Sequence, residues 1–423
     1  MKQFPAVYLR CICILLACVV LGFTLLLVVN TIPTQPIHGN MKESISVFEK
    51  EGDYPALHSW CFSQLDNWTD ATILKIAAYD GEEPLLDRTL LAFRYNAEKG
   101  GKILTSSEGL IAYYGNDAEA EMKVDSYPRY WHGYLLAVKP LLAVLNYSQI
   151  RIVNLLFQNL LVFVVSVMFW KKNLKYLVIP WLIAWCAMVP TAMCMSLQFS
   201  SVFYVMVTAI IVLMARFDRI VATCGKYYYF LLVGIATSYI DFLTYPIATL
   251  GIPMVVYFCL KKDNRVVDEL IDIVVLSVVW GCGYVGMWAS KWVLASVLTS
   301  ENVIANAIQT IALRTAHTAG SGEAFSILQM YLLHFKGFCK NPIMVVACLF
   351  AGICVWKVLR SKRPVWHDVL IGGIIACMPL AWYFAASNHS FVHWWFTCKG
   401  LVVSLFSILC FGAKAATDYR EKL

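Results

Sequence analysis

Charge is scarce in this 423-residue chain: Asp, Glu, Lys and Arg make up 14% of it, where a soluble globular domain carries about 25%. That shortfall, with 60% hydrophobic residues and a mean hydropathy of +0.65, excludes a soluble globular protein and implies a polytopic membrane protein. Also missing are a GxGxxG following a strand, a Walker loop and a GxSxG elbow, so nothing points to nucleotide hydrolysis by this chain. No CxxC and no Cys/His spacing resembles a zinc site. Most of the 15 cysteines fall in apolar runs, where a thiol acts as a small hydrophobe, and the large polar loop holds only Cys61. A disulfide scaffold is not expected. There is no useful internal repeat and no low-complexity segment, which weakens an inverted-repeat transporter reading.

What the chain does hold is a series of apolar runs, read as about ten membrane-spanning helices of roughly 20 residues. They cover Cys11 to Val29, Ile152 to Trp170, Tyr176 to Pro190, Val202 to Ala215, Tyr228 to Ile240, Pro246 to Leu260, Ile271 to Ala289, Ile343 to Leu359, Val369 to Phe384 and Leu401 to Ala413. The first lacks a small-residue cleavage site and reads as an anchor, with a signal anchor as the alternative. Three parts follow: residues 1–30 as a cytoplasmic start and first helix, 31–150 as an extracytoplasmic loop, and 151–423 as a bundle with a further outer loop at 290–342. The expected fold is all-α and polytopic, with a large, structured, α-rich first outer loop.

The net charge of +7 conceals an asymmetry, because residues 31–132 hold nine Lys/Arg against sixteen Asp/Glu, leaving an excess of fourteen positive charges elsewhere. That excess sits in short connectors, where it sets topology rather than binding nucleic acid. An inside amino terminus puts Lys171-Lys172-Lys175, Arg216/Arg219/Lys226, Lys261-Lys262-Arg265, Arg360 to Arg363 and Lys414 to Leu423 all in the cytoplasm. Both termini are then expected inside the cell, with the acidic loop and the candidate site residues outside.

Within the loop, the stretch Trp60 to Ala77 carries Leu65, Ile73, Leu74 and Ala77 at helical intervals, and a continuous helix would set Asp66 and Asp70 on one face. Paired carboxylates raise one another's pKa and suit general-base work; the alternative is that Thr69 or Asp70 caps a helix. Tyr127-Pro128-Arg129-Tyr130-Trp131-His132-Gly133 precedes an apolar stretch, Tyr134 to Leu145, that reads as an interfacial helix. An aromatic anchor belt explains its rings, while Arg129 and His132 suit a lipid-linked phosphate. Asp241, between Tyr239-Ile240 and Phe242 to Pro246, is an ionisable group near membrane depth, or an N-cap for the following helix. His389 and His393 stand four apart, a weak metal signal without the Glu of HExxH; with Lys399 and the intervening tryptophans they suit a phosphate or sugar. Arg314 completes the candidate set.

Short cytoplasmic start, one helix, a large outer loop with Asp66-Asn67-Trp68-Thr69-Asp70-Ala71, about ten spans and an outward-facing site together resemble the GT-C class of integral membrane glycosyltransferases. The strings Tyr127 to Gly133, Tyr239 to Pro246 and Asn388 to Lys399 are similar to those of bacterial multispanning proteins akin to that class. The resemblance implies transfer of a sugar from a polyprenyl-phosphate donor to a glycan or other cell-envelope polymer acceptor. It implies a loop carboxylate as base, a role open between Asp66 and Asp70, with Arg129, His132, Asp241, Arg314, His389, His393 and Lys399 binding substrate. It implies membrane-lipid surroundings and, since no second acidic DxD-like pair is present, no metal and no cofactor. A transporter or lipid flippase, and a non-catalytic assembly subunit, are the alternatives from other classes.

Overall fold

The computed structural model of the protein describes residues 4–222, 224–261, 265–318, 324–361 and 365–417. Lys262, Lys362, Arg363 and the tail from 418, which enter the charge argument, lie outside the described residues. All ten predicted apolar runs are helical. Seven helices are long and apolar enough to cross a bilayer: Ala6–Asn30, Tyr147–Lys171, Leu197–Val221, Val266–Leu298, Ile343–Arg360, Trp366–Ala385 and Trp394–Thr417. The protein is thus a multi-pass, nearly all-helical membrane protein.

The remaining three runs form shorter helices, Lys175–Ala187, Gly225–Ile240 and Ile247–Leu260. The first stops before Val189, whose φ of +59° breaks the helical path ahead of Pro190. The last is buried throughout from Ile247 to Cys259, and hydropathy alone does not separate such a core helix from a span. Helices Gly225–Ile240 and Val266–Leu298 pack backbone to backbone, because a Cβ on Gly234 would lie 2.1 Å from the Trp280 carbonyl oxygen and one on Gly283 2.3 Å from that of Leu231. Small residues at a contact allow this approach within a membrane.

The helix Val266–Leu298 measures the molecule from end to end. Near its start Asp272 accepts from Lys226 and from Lys261 (2.9 Å), Glu269 pairs with His367 (2.7 Å), and nearby Asp368 pairs with Lys414 (2.9 Å). Near its finish the Met287 carbonyl accepts from Trp131 Nε1 (2.6 Å), and Lys291 Nζ donates to the Leu90 carbonyl (2.6 Å). Asp272 and Lys291 lie about 28 Å apart along the axis at 1.5 Å per residue, close to the hydrocarbon thickness of about 30 Å. One end of the bundle therefore gathers basic connectors and their carboxylates, and the other carries the acidic loop.

The loop is folded but not purely helical. It holds helices Gln35–Glu51, Asn67–Ala78, Leu85–Leu91, Ser106–Gly115 and Leu135–Leu142 and a three-stranded antiparallel sheet, against which Asn67–Ala78 and Ser106–Gly115 pack. Its central strand Arg94–Lys99 pairs with Lys102–Ile103 (Glu98 opposite Ile103) and with Glu121–Asp125 (Ala97 opposite Met122). The loop is α-rich as expected, and the sheet is an addition that the expected all-α class of the whole chain did not include. Of the central strand only Ala97 is buried, so no apolar alternation marks it. The legible signal is Gly100-Gly101, whose φ values of +60° and +76° suit a tight hairpin.

Candidate functional site

Asp66 and Asp70 do not share a helical face, because the helix begins at Asn67 and Asp66 is its N-cap. Asp66 accepts from Thr69 N and from Thr69 Oγ1, both at 2.9 Å. Those bonds occupy about half of a carboxylate's acceptor positions. Burial raises this carboxyl to about 7, against the lowering effect of the Thr69 bonds and with further push from Asp70 and Asp53.

Asp70, wholly buried, caps a different helix. Its oxygens accept from Leu197 N (2.8 Å), Gln198 N (3.0 Å), Ser196 Oγ (3.3 Å) and the Tyr147 hydroxyl (2.5 Å). Leu197–Val221 starts there with its first N–H groups unpaired within the helix, and a carboxylate at that end also meets the positive end of its dipole. Behind it Arg151 donates to Glu51 (2.8 and 3.0 Å), to Asn67 Oδ1 (2.9 Å) and to the Tyr147 hydroxyl (3.0 Å). Burial still raises the Asp70 carboxyl, with Tyr147, Leu197 and Arg151 opposing. Neither Tyr147 nor Arg151 belongs to the expected site; polarity at the first turn of an apolar run was the signal available.

The segment Tyr127 to Gly133 is a plug seated on the bundle. Arg129 offers its carbonyl to Trp288 (2.7 Å) and Trp292 (3.0 Å), and its guanidinium donates to Asn306 Oδ1 (2.9 Å) while lying over the Tyr127 ring. His132, with φ of +58°, uses both ring nitrogens, on Tyr134 OH (2.8 Å) and the Tyr127 carbonyl (2.7 Å). Burial drives it down to about 3, so it is neutral. The predicted interfacial helix after it is Leu135–Leu142.

Asp241 ends the helix Gly225–Ile240 and accepts from Thr244 N (3.1 Å) and Thr244 Oγ1 in a tight turn. Leu243 in that turn has φ of +66°, a strained value for a residue with a side chain, and its carbonyl accepts from His389 Nε2 (2.6 Å). His389 thus carries its proton on Nε2, and Nδ1 is left buried without a partner among the described residues. Its ring lies 4.8 Å from that of His393, whose Nε2 is 3.3 Å from Arg314 NH1. Burial lowers both histidines, His393 to about 4, so positive charge here comes from Arg314.

Lys399 connects the two groups. It is buried, sits over the Phe199 ring (4.9 Å) and has no hydrogen-bond acceptor among the described residues. Phe199 contacts Trp395 (6.3 Å) and Phe396 (6.0 Å); Trp395 meets Tyr54 (5.6 Å), which feels the Asp66 charge, and Phe396 stacks on His393 (5.2 Å). A run of ring contacts therefore joins Lys399 to His393, and through it to Arg314, while Asp66 touches that run only through its charge beside Tyr54. Arg129 joins through helix Val303–Thr315, which supplies both Asn306 and Arg314. Asp70 and His132 stay inside their own networks. The described residues hold no group of three or more His, Cys, Asp or Glu placed to bind a metal.

No family model, curated protein or solved structure matches this chain.

Proposed function

We propose that the protein is an integral-membrane glycosyltransferase of GT-C type that moves a sugar from a polyprenyl-phosphate donor to a cell-envelope acceptor. In this reading the chain crosses the membrane ten times, both termini are cytoplasmic, and the loop face is extracytoplasmic. One observation carries the reading: Asp66 is a buried carboxylate with acceptor capacity to spare and a pKa of about 7, on the same side of the bundle as the buried Lys399, from which it is separated by the rings of Tyr54, Trp395 and Phe199. A base poised near neutrality takes the acceptor hydroxyl's proton as that oxygen attacks the anomeric carbon and the lipid phosphate departs with the bonding electron pair. Lys399, Arg314 and Arg129 meet the charge growing on that phosphate, and neutral His389 and His393 supply polar contacts.

Asp66→Asn tests this cleanly, since Asn caps a helix as well as Asp does but takes no proton. Transfer from radiolabelled polyprenyl-phosphate sugars in proteoliposomes is expected to vanish in D66N while its melting temperature holds. Undiminished transfer overturns the assignment. A second reading, a non-catalytic assembly subunit, draws on the capping roles of both aspartates; it expects no labelled product from wild type and assembly unaffected by D66N.

A further inference from the structure

At the outer end of the first helix a small cavity lies among Asn30, Ile76, Tyr79, Arg88, Phe93 and Lys139. Two cations line it and no carboxylate does. Lys139 is 2% exposed, and among the described residues its Nζ bonds only to Asn30 Oδ1, at 3.3 Å. Asn30 in turn donates to Thr89 Oγ1 (3.2 Å), which fixes the amide between the two elements. The Arg88 guanidinium has no hydrogen-bond or ion-pair partner among the described residues, and its Nε is buried. Glu83, the carboxylate bonded to the lining residue Tyr79, accepts from that hydroxyl through both oxygens, at 2.8 and 2.7 Å. Burial, and then the charge of Arg88, pulls Lys139 down to about 8.

Two positive groups held together without a counter-charge repel one another, and the burial of Lys139 and of Arg88 Nε weakens the screening between them. An anion between them relieves both costs. We propose that the Arg88 and Lys139 cavity binds a phosphate-type oxyanion, presented by the headgroup of an anionic membrane lipid. The chemistry suits it, since Arg offers a planar fork of donors and Lys a compact charge. The place suits a lipid, because Asn30 is the last residue of the span Ala6–Asn30, whose exposed flank includes Leu21, Leu25 and Val28, where an acyl chain would run. The cavity holds about 260 Å³ of empty space, the open solvent at its mouth included. One phosphate oxygen enters, and the rest of the headgroup stays at the mouth. This site is independent of Asp66 and of the transfer reaction.

The test uses full-length, delipidated protein in detergent, titrated separately with dioleoylphosphatidylglycerol, dioleoylphosphatidylcholine and inorganic phosphate while thermal unfolding is followed. Phosphatidylglycerol is expected to raise the melting temperature saturably and more than phosphatidylcholine. Arg88→Gln and Lys139→Gln should each raise the half-saturating concentration about fivefold, the effect of one interfacial cation, while R88K, K139R and D66N keep the wild-type response. A response to inorganic phosphate alone, lost in the same Gln variants, supports the oxyanion site and overturns its lipid source. If a Gln variant does not fold, native mass spectrometry of wild type from bilayers of equal phosphatidylglycerol and phosphatidylcholine decides: selective retention of phosphatidylglycerol supports the site, and equal retention overturns it. No response to either anion, or one that survives both Gln substitutions, overturns it as well.

Discussion

A carboxylate on which four hydrogen bonds converge in a dry interior is costly to remove. Asp70→Ala leaves the Tyr147 hydroxyl and the N–H groups of Leu197 and Gln198 without their acceptor, so a loss of about 3–5 kcal/mol is expected, the range for breaking a buried charged network. A melting temperature unchanged in detergent would show that the network carries no stability. Asp66 differs in kind. With its carboxyl at about 7, the base form fills as pH rises through neutrality, so transfer should climb across that pH and level off above it; a profile flat through neutrality removes Asp66 as base. For stability the sign reverses. The folded carboxyl keeps its proton up to about 7 and an unfolded one only to about 4, so this group's contribution is fullest at acid pH and is lost as pH rises from about 4 to about 7.

Among the elements, the plug Tyr127 to Gly133 depends on one missing side chain. Gly133 N donates to the Tyr239 carbonyl at 2.9 Å, and a Cβ there would stand 2.4 Å from the Tyr239 ring and 2.5 Å from its carbonyl oxygen. Gly133→Val is expected to cost about 1–3 kcal/mol by overpacking and to lift the segment from helix Val266–Leu298. The measurement is the fluorescence of Trp288 and Trp292, which donate to the Arg129 carbonyl in the seated plug; an unchanged spectrum and melting temperature would refute the docking. The length and hydropathy of the apolar runs found the ten apolar helices because each carries its apolar side chains within its own stretch of chain. They did not find the sheet, whose strands are mostly polar and are held by pairing between Arg94–Lys99 and the distant Glu121–Asp125. Nor did they place the start of the loop helix, because an N-cap is set by which donor a side chain reaches.

At the scale of the whole molecule, the separation of charges along Val266–Leu298 carries the topology prediction. An epitope inserted between Gly100 and Gly101, at a hairpin tip, should be labelled by antibody on intact spheroplasts, whereas one at the carboxyl terminus should need permeabilisation; the reverse pattern overturns the orientation. Composition alone determined that this chain lives in a membrane, since burying so much apolar surface with so little charge has few other solutions, and it set apart an acidic loop from basic connectors. It also marked the residues that gather near the loop end, because ionisable groups beside apolar runs are costly wherever they fall. Which of them share contacts was decided only by the tertiary structure. Asp70 meets Leu197 and Gln198 across more than a hundred residues of chain, and Lys399 reaches Phe199 across the bundle. A carboxylate is a cap or a free acceptor according to the donors packed around it, and those donors come from helices that hydropathy describes one at a time.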